Sequence, residues 1–212
     1  MDKPLIFVEG IADQKFIKDL IEEWYGVSLK VSNVDKPGSE ILALGGVDAF
    51  DSPEKMKKVA PIIETQQIKE IPIIAILDAD VFVENDALIS SHSSKFGFTY
   101  FLLPNHNSDG ELETLLQSII NKQNQVIFNC WNEFENCLVG HEALNTLSGK
   151  FTLPANKTKI YAYLETLLGE TSTEKEKIKE RNRDYRNKKH WNLDPTQPEL
   201  KALKAFLDPF FT

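Results

Sequence analysis

Leu5-Ile6-Phe7-Val8-Glu9-Gly10-Ile11-Ala12-Asp13 is an apolar run that stops at Glu-Gly and passes into an amphipathic pattern. Continuous apolar residues bounded by a tight turn predict a strand buried on both faces, as parallel sheets require, followed directly by a helix. Glu9 then stands at the C-terminal edge of that strand. Asp13, four residues on, falls in the first helical turn, where its carboxylate can face back toward the strand ends and the positive helix terminus.

The same arrangement returns at Ile73-Ile74-Ala75-Ile76-Leu77-Asp78-Ala79-Asp80. Alternation along an extended chain puts Asp78 and Asp80 on one side, so Glu9, Asp13, Asp78 and Asp80 can share one crevice. Crowded carboxylates repel, and a hard divalent cation, Mg²⁺ or Mn²⁺, is the economical way to keep them ionised. The alternative is that each acid caps a helix or is solvated at a strand end. Two such motifs at strand ends in one chain favour the metal.

The chain has 212 residues, 42% of them hydrophobic and 26% charged, which suits a globular fold with one large core and a helical appendage. No apolar run reaches membrane length. The start, Met1-Asp2-Lys3-Pro4, lacks the basic flank and cleavage site of a secretory signal, which predicts a cytoplasmic protein. A net charge of −8 counts against nucleic acid as a partner, although bound metal would cancel part of it and local patches outweigh the sum.

Between the two acidic strands, Phe16, Ile17, Leu20, Ile21 and Trp24 recur at helical spacing and Gly26 ends that helix. Residues 28–34 alternate like a half-buried strand, and Ile41 to Leu44 read as another before Gly45-Gly46, a tight turn or a place for backbone to approach phosphate. Ser52-Pro53-Glu54 starts a helix carrying Met56, Val59, Ile62 and Ile63, with a kink or early break expected at Pro61. A polar helix over 85–95 and a strand over 98–103 follow. This alternation predicts an α/β fold, a mostly parallel sheet with helices on both faces over residues 1–122, whose site lies at the strands' C-terminal ends. The loop 105–110 opens a helix with Glu113 in its first turn, where it either caps or adds a fifth carboxylate. His106, with no second histidine at metal spacing, is expected to be exposed.

Residues 123–212 read as a helical extension packed on that unit. Val126, Ile127, Cys130, Trp131, Phe134, Cys137 and Leu138 form a helical stripe, so both cysteines are expected to act as small core residues. Their spacing, roughly 10 Å along a helix, rules out a disulfide. Helices are expected over 159–168 and 197–207. Between them lies the one basic patch, including Arg181, Arg183, Arg186, Lys188 and Lys189, with Tyr185 and Trp191 as candidate stacking platforms. It is either a solvated helix or mobile loop, or a nucleic-acid-binding surface.

Val8-Glu9-Gly10-x-x-Asp13 and Leu77-Asp78-x-Asp80 together resemble the Toprim domain shared by topoisomerases, bacterial primases and OLD-type nucleases. Gly110-x-Leu112-Glu113 and the helical tail with Trp191 are more specifically similar to small stand-alone OLD-related Toprim proteins. The resemblance covers roughly residues 4–120 and, loosely, the tail. It implies a Rossmann-like Toprim fold, Glu9 as metal ligand or general acid/base, Asp78 and Asp80 as magnesium ligands, and Asp13 as a metal-proximal acid. There are departures. The chain lacks a Walker motif and the cysteines of a primase zinc module, is too short for topoisomerase strand passage, and has no assignable counterpart of the lysine that accompanies the acids in OLD nucleases.

The expected function is a metal-dependent nuclease or related phosphodiester-processing protein, with DNA or RNA as partner and a homodimer or separate protein partner left open. A non-catalytic metal-binding module for nucleic acid or a protein partner is the alternative. Transfer chemistry on a small phosphorylated molecule is a third reading.

Overall fold

The computed structural model describes residues 3–143 and 146–212. Five strands, β1 (Leu5–Val8), β2 (Val31–Asn33), β3 (Ile41–Ala43), β4 (Ile73–Asp78) and β5 (Thr99–Leu103), form an all-parallel sheet in the order β2-β3-β1-β4-β5. The fold is Rossmann-like α/β. The central strands are the apolar runs and are buried throughout; β2, shorter than the 28–34 alternation predicts, is the thin, partly exposed edge.

Alternation within the strands feeds two cores. Ile6, Val8, Ile74 and Ile76 pack against Phe16, Ile17 and Leu20 of helix α1 (Ile11–Tyr25). On the other face, Phe7, Ala75 and Leu77 pack against Val59 and Ile63 of α2 (Pro53–Ile68) and Ile89 of α3 (Phe82–Phe96). Thus neighbouring strands β1 and β4 send their following helices to opposite faces. A crevice opens where this happens, at the strands' C-terminal ends. The expected early break at Pro61 does not occur. Its ring lies on the exposed side of α2, where water can satisfy the carbonyl its missing N–H leaves free.

The C-terminal half contributes α4 (Leu112–Ser118), α5 (Gln125–Val139), α6 (Asn156–Leu168), the short α7 (Ser172–Glu176) and α8 (Pro198–Phe211). Its Ile160, Tyr163, Tyr185, Trp191, Leu200 and Leu203 lie in the same buried cluster as α1. Two expectations are corrected. In α5 only Phe128 is buried, against the Tyr163 ring at 5.3 Å, while Cys130 and Cys137 are exposed: the helix is turned so that most of its apolar stripe faces away from the core. Conversely, Tyr185 and Trp191 are no stacking platforms. Tyr185 meets Phe16 edge-on at 5.4 Å, Trp191 lies 5.3 Å from Tyr163, and both are fully buried. Among the described residues no helix is long and apolar enough to cross a membrane.

Candidate functional site

The predicted acids converge on the crevice, each held there by backbone geometry. Glu9 leaves β1 where its carbonyl accepts the Gly45 N–H at 2.9 Å, which ties the strand end to the Gly45-Gly46 loop. Asp13 reaches back from the first turn of α1, its Oδ2 accepting the Gly10 N–H at 2.9 Å, while its Oδ1 is buried without a hydrogen-bond partner. Asp78 ends β4 and its Oδ1 accepts the Leu112 N–H at 2.8 Å, joining the strand to the start of α4. Two of the four acids therefore do act as helix-end acceptors, as the capping alternative anticipated.

Strand alternation does not carry through to Asp80. The residue lies beyond β4 at φ 46°, paired with Gly110 by two backbone hydrogen bonds of 2.8 and 3.0 Å. Gly110, at φ 138°, leaves no room for a side chain, since a Cβ would come within 2.8 Å of Thr114 Oγ1. This clamp folds the 105–110 loop inward and brings α4 to the crevice. Thr114, not Glu113, reaches back to the Glu111 N–H, and Glu113 is buried and near enough to repel Asp78. His106 is half-buried rather than exposed: its Nδ1 accepts the Leu102 N–H at 3.0 Å and its ring stacks on Phe101.

Electrostatics mark the site as acid-crowded. Burial, then the charges of Asp13, Asp80 and Asp48, push the Glu9 carboxyl up to about 7. Burial, then Asp13, Glu9 and Glu113, push Asp78 up to about 9. Asp13 and Glu113 are raised as well, both mainly by burial. Glu9 Oε2, like Asp13 Oδ1, is buried without a partner. All the donors here are carboxylate oxygens, the chemistry that hard cations take. Their spacing is looser than a formed cage: among the described residues no group of three or more His, Cys, Asp or Glu is placed to hold an ion.

Sequence reasoning missed the cations at this edge. Lys55 Nζ bonds the Gly45 carbonyl at 2.8 Å and pairs with Asp48 at 2.7 Å. Lys157 pairs with Glu180 at 2.5 Å, and its charge opposes the rise at Asp13. Arg183, one of the five basic residues expected to meet nucleic acid, is 1% exposed and its charge opposes the rise at Glu113. Being buried, it cannot present itself with the other four. Arg181, Arg186, Lys188 and Lys189 are exposed, with Arg186 3.1 Å from Glu22 and Lys188 3.6 Å from Glu23. Nothing local in the sequence signals which tail arginine turns inward.

Fold and site together define a parallel α/β protein with an acidic crevice at the point where its helices change faces. The family model described as a protein of unknown function, DUF3226, matches residues 64–212, and the chain belongs to that family. The match takes in Asp78, Asp80, Glu113 and the basic segment but starts after Glu9 and Asp13. No curated protein and no solved structure matches the chain.

Proposed function

We propose that the crevice binds Mg²⁺ or Mn²⁺ through Asp13, Asp78, Asp80 and Glu113, with Glu9 as ligand or proton acceptor, and that the protein is a metal-dependent phosphodiesterase acting on DNA or RNA. One observation carries this reading: half-buried Glu9 and Asp78 at the ends of β1 and β4, crowded by buried Asp13 and Glu113 of α1 and α4, are pushed up to about 7 and about 9. The donor chemistry fits a hard cation, and two buried orphan oxygens are available to it. Because no three-ligand set is formed among the described residues as the side chains stand, binding entails their closing inward.

A bound divalent cation supplies charge neutralisation and polarisation of the phosphodiester. Glu9, titrating near 7, is suited to take a proton from an attacking water at working pH, and its unpartnered Oε2 is the atom to do so. Lys157, beside the acids, can offset charge on the leaving oxygen. The Toprim resemblance rests on the motif residues and adds the same assignment for Glu9, Asp78 and Asp80.

The second reading, a non-catalytic module, is favoured by the two helix-end bonds of Asp13 and Asp78. One experiment separates them. Mn²⁺ should raise the melting temperature of the parent, more strongly at pH 8 than at pH 6 because binding displaces protons, and not that of Asp78→Asn with Asp80→Asn. The metal-loaded parent should cleave single-stranded or nicked nucleic acid, with a loss of about 10²–10⁴ in Glu9→Gln. Metal binding without cleavage of any DNA or RNA selects the module; no metal response sinks the metal site.

A further inference from the structure

The basic segment contains a second place where chemistry is concentrated. A cavity of about 190 Å³ opens between α6 and the turns that follow α7, and Lys177, Arg183, His190, Asn182 and Asn187 line it together with one carboxylate, Asp184. Leu168 and Trp191 supply apolar wall, which lowers the local dielectric and strengthens any charge interaction made inside.

Arg183 is the unusual member. A fully buried guanidinium normally has a partner for each donor edge. Here Nε donates to the Ile178 carbonyl at 2.9 Å, Nη1 to the Tyr185 hydroxyl at 3.4 Å, and Cζ lies 4.6 Å from the Tyr161 ring centre. Nη2 is buried with no hydrogen-bond partner. One backbone carbonyl and two tyrosine side chains thus fix the guanidinium and leave Nη2 unused. Asp184 does little to neutralise it, since its Oδ1 accepts the Arg186 N–H at 3.1 Å and the residue is exposed. Lys177, also exposed, adds a second positive charge, and His190, buried, adds a third when protonated.

We infer that this cavity is a binding site for a phosphoryl dianion, held by Arg183 and Lys177 with Asn182, Asn187 and His190 as further donors. The unpartnered Nη2 of a fixed guanidinium can donate charge-assisted bonds to an oxyanion, and the charges of Arg183 and Lys177 together suit a dianion better than a single carboxylate. The volume admits a phosphoryl group. The ligand is free phosphate or the terminal phosphate of a strand. Arg183 also acts on Glu113, so the cavity adjoins the acidic crevice, but anion binding in it does not depend on the crevice's function.

Inorganic phosphate titrated into the metal-free full-length protein, in EDTA and against chloride of equal ionic strength, tests this. Phosphate should raise the melting temperature saturably, chloride should not, and His190 ring signals should shift with the same midpoint. Lys177→Glu, at an exposed position that spares the fold, should weaken binding about tenfold or more. Asp78→Asn with Asp80→Asn should bind phosphate as the parent does, which keeps this result apart from that of the metal site. A 5′-phosphorylated oligonucleotide that binds more tightly than both its 5′-hydroxyl form and phosphate would identify the strand end as the ligand; affinity equal to phosphate would identify the free anion. Identical responses to phosphate and chloride, or equal phosphate affinity in parent and Lys177→Glu, would overturn the site.

Discussion

Helix α5 and the segment 177–193 invert each other. The first is among the most apolar stretches of the C-terminal half, yet Val126, Phe134 and Val139 face solvent. The second is the most polar, yet Ile178, Arg183, Tyr185, His190, Trp191 and Leu193 are buried. A periodic apolar stripe states that a helix has a face to cover; it does not state that this chain covers it. A segment without periodicity can still be pinned by a few large side chains, because a buried aromatic removes roughly 150–250 Å² from water, more than a single aliphatic does. Charge count misleads for the same reason: Lys179 and Lys189 are solvated while Arg183 between them is not.

The largest effect that would break the comparison is on stability. Trp191 packs on Tyr163 and Tyr185 and its backbone pairs with Ile120, so Trp191→Ala should cost about 3–5 kcal/mol in denaturant unfolding. Phe134→Ala, at a 46% exposed position, should cost less than about 1 kcal/mol. Comparable losses would mean that the face of α5 is covered in solution after all.

How much of this was legible follows the same division. Strands β1, β3 and β4 were readable because burial on both faces leaves little room for polar residues, and edge strand β5, whose Thr99 is exposed, because its apolar run stops at Pro104. Glu9, Asp13, Asp78 and Asp80 were readable as neighbours because parallel topology puts strand ends together. Glu113 was left between two roles because the inward fold of its loop depends on the Asp80–Gly110 pairing, a long-range contact. Lys157 and Arg183 were not legible as neighbours of the acids, since nothing short of the packing of α6 onto α4 and of the 177–193 segment onto α1 brings them there.

A smaller effect is expected from pH, and its sign distinguishes the buried segment from the acidic crevice. Burial holds the His190 imidazole below its usual value, with Lys189 and Lys177 acting the same way and Asp184 opposing. A group with a depressed folded pKa contributes stability that is present above its unfolded pKa of about 6.5 and is lost as pH falls toward the folded value. Glu9 and Asp78 run the other way. Their folded values are raised to about 7 and about 9, so the metal-free protein loses their contribution as pH rises through those values. Melting curves of parent and His190→Gln in phosphate-free buffer isolate the histidine's contribution. The parent should lose ground relative to the variant between pH 7.5 and pH 5, and a constant difference would show that His190 is not buried as described.

The smallest effect is chemical rather than energetic. Cys130 and Cys137 lie on the outward side of α5, seven residues apart, and both are exposed. Thiols buried as core residues would react only on unfolding, at a rate set by the opening equilibrium. Exposed thiols need no opening. A thiol reagent added to the native protein should therefore titrate both without denaturant, and Cys130→Ser or Cys137→Ser should change stability by no more than about 0.5 kcal/mol. Both thiols reacting at once would confirm the outward turn of α5 that separates it from the 177–193 segment. If neither reacts until denaturant is added, the helix is turned the way its stripe alone suggested or its face is covered, and the contrast between the two regions disappears.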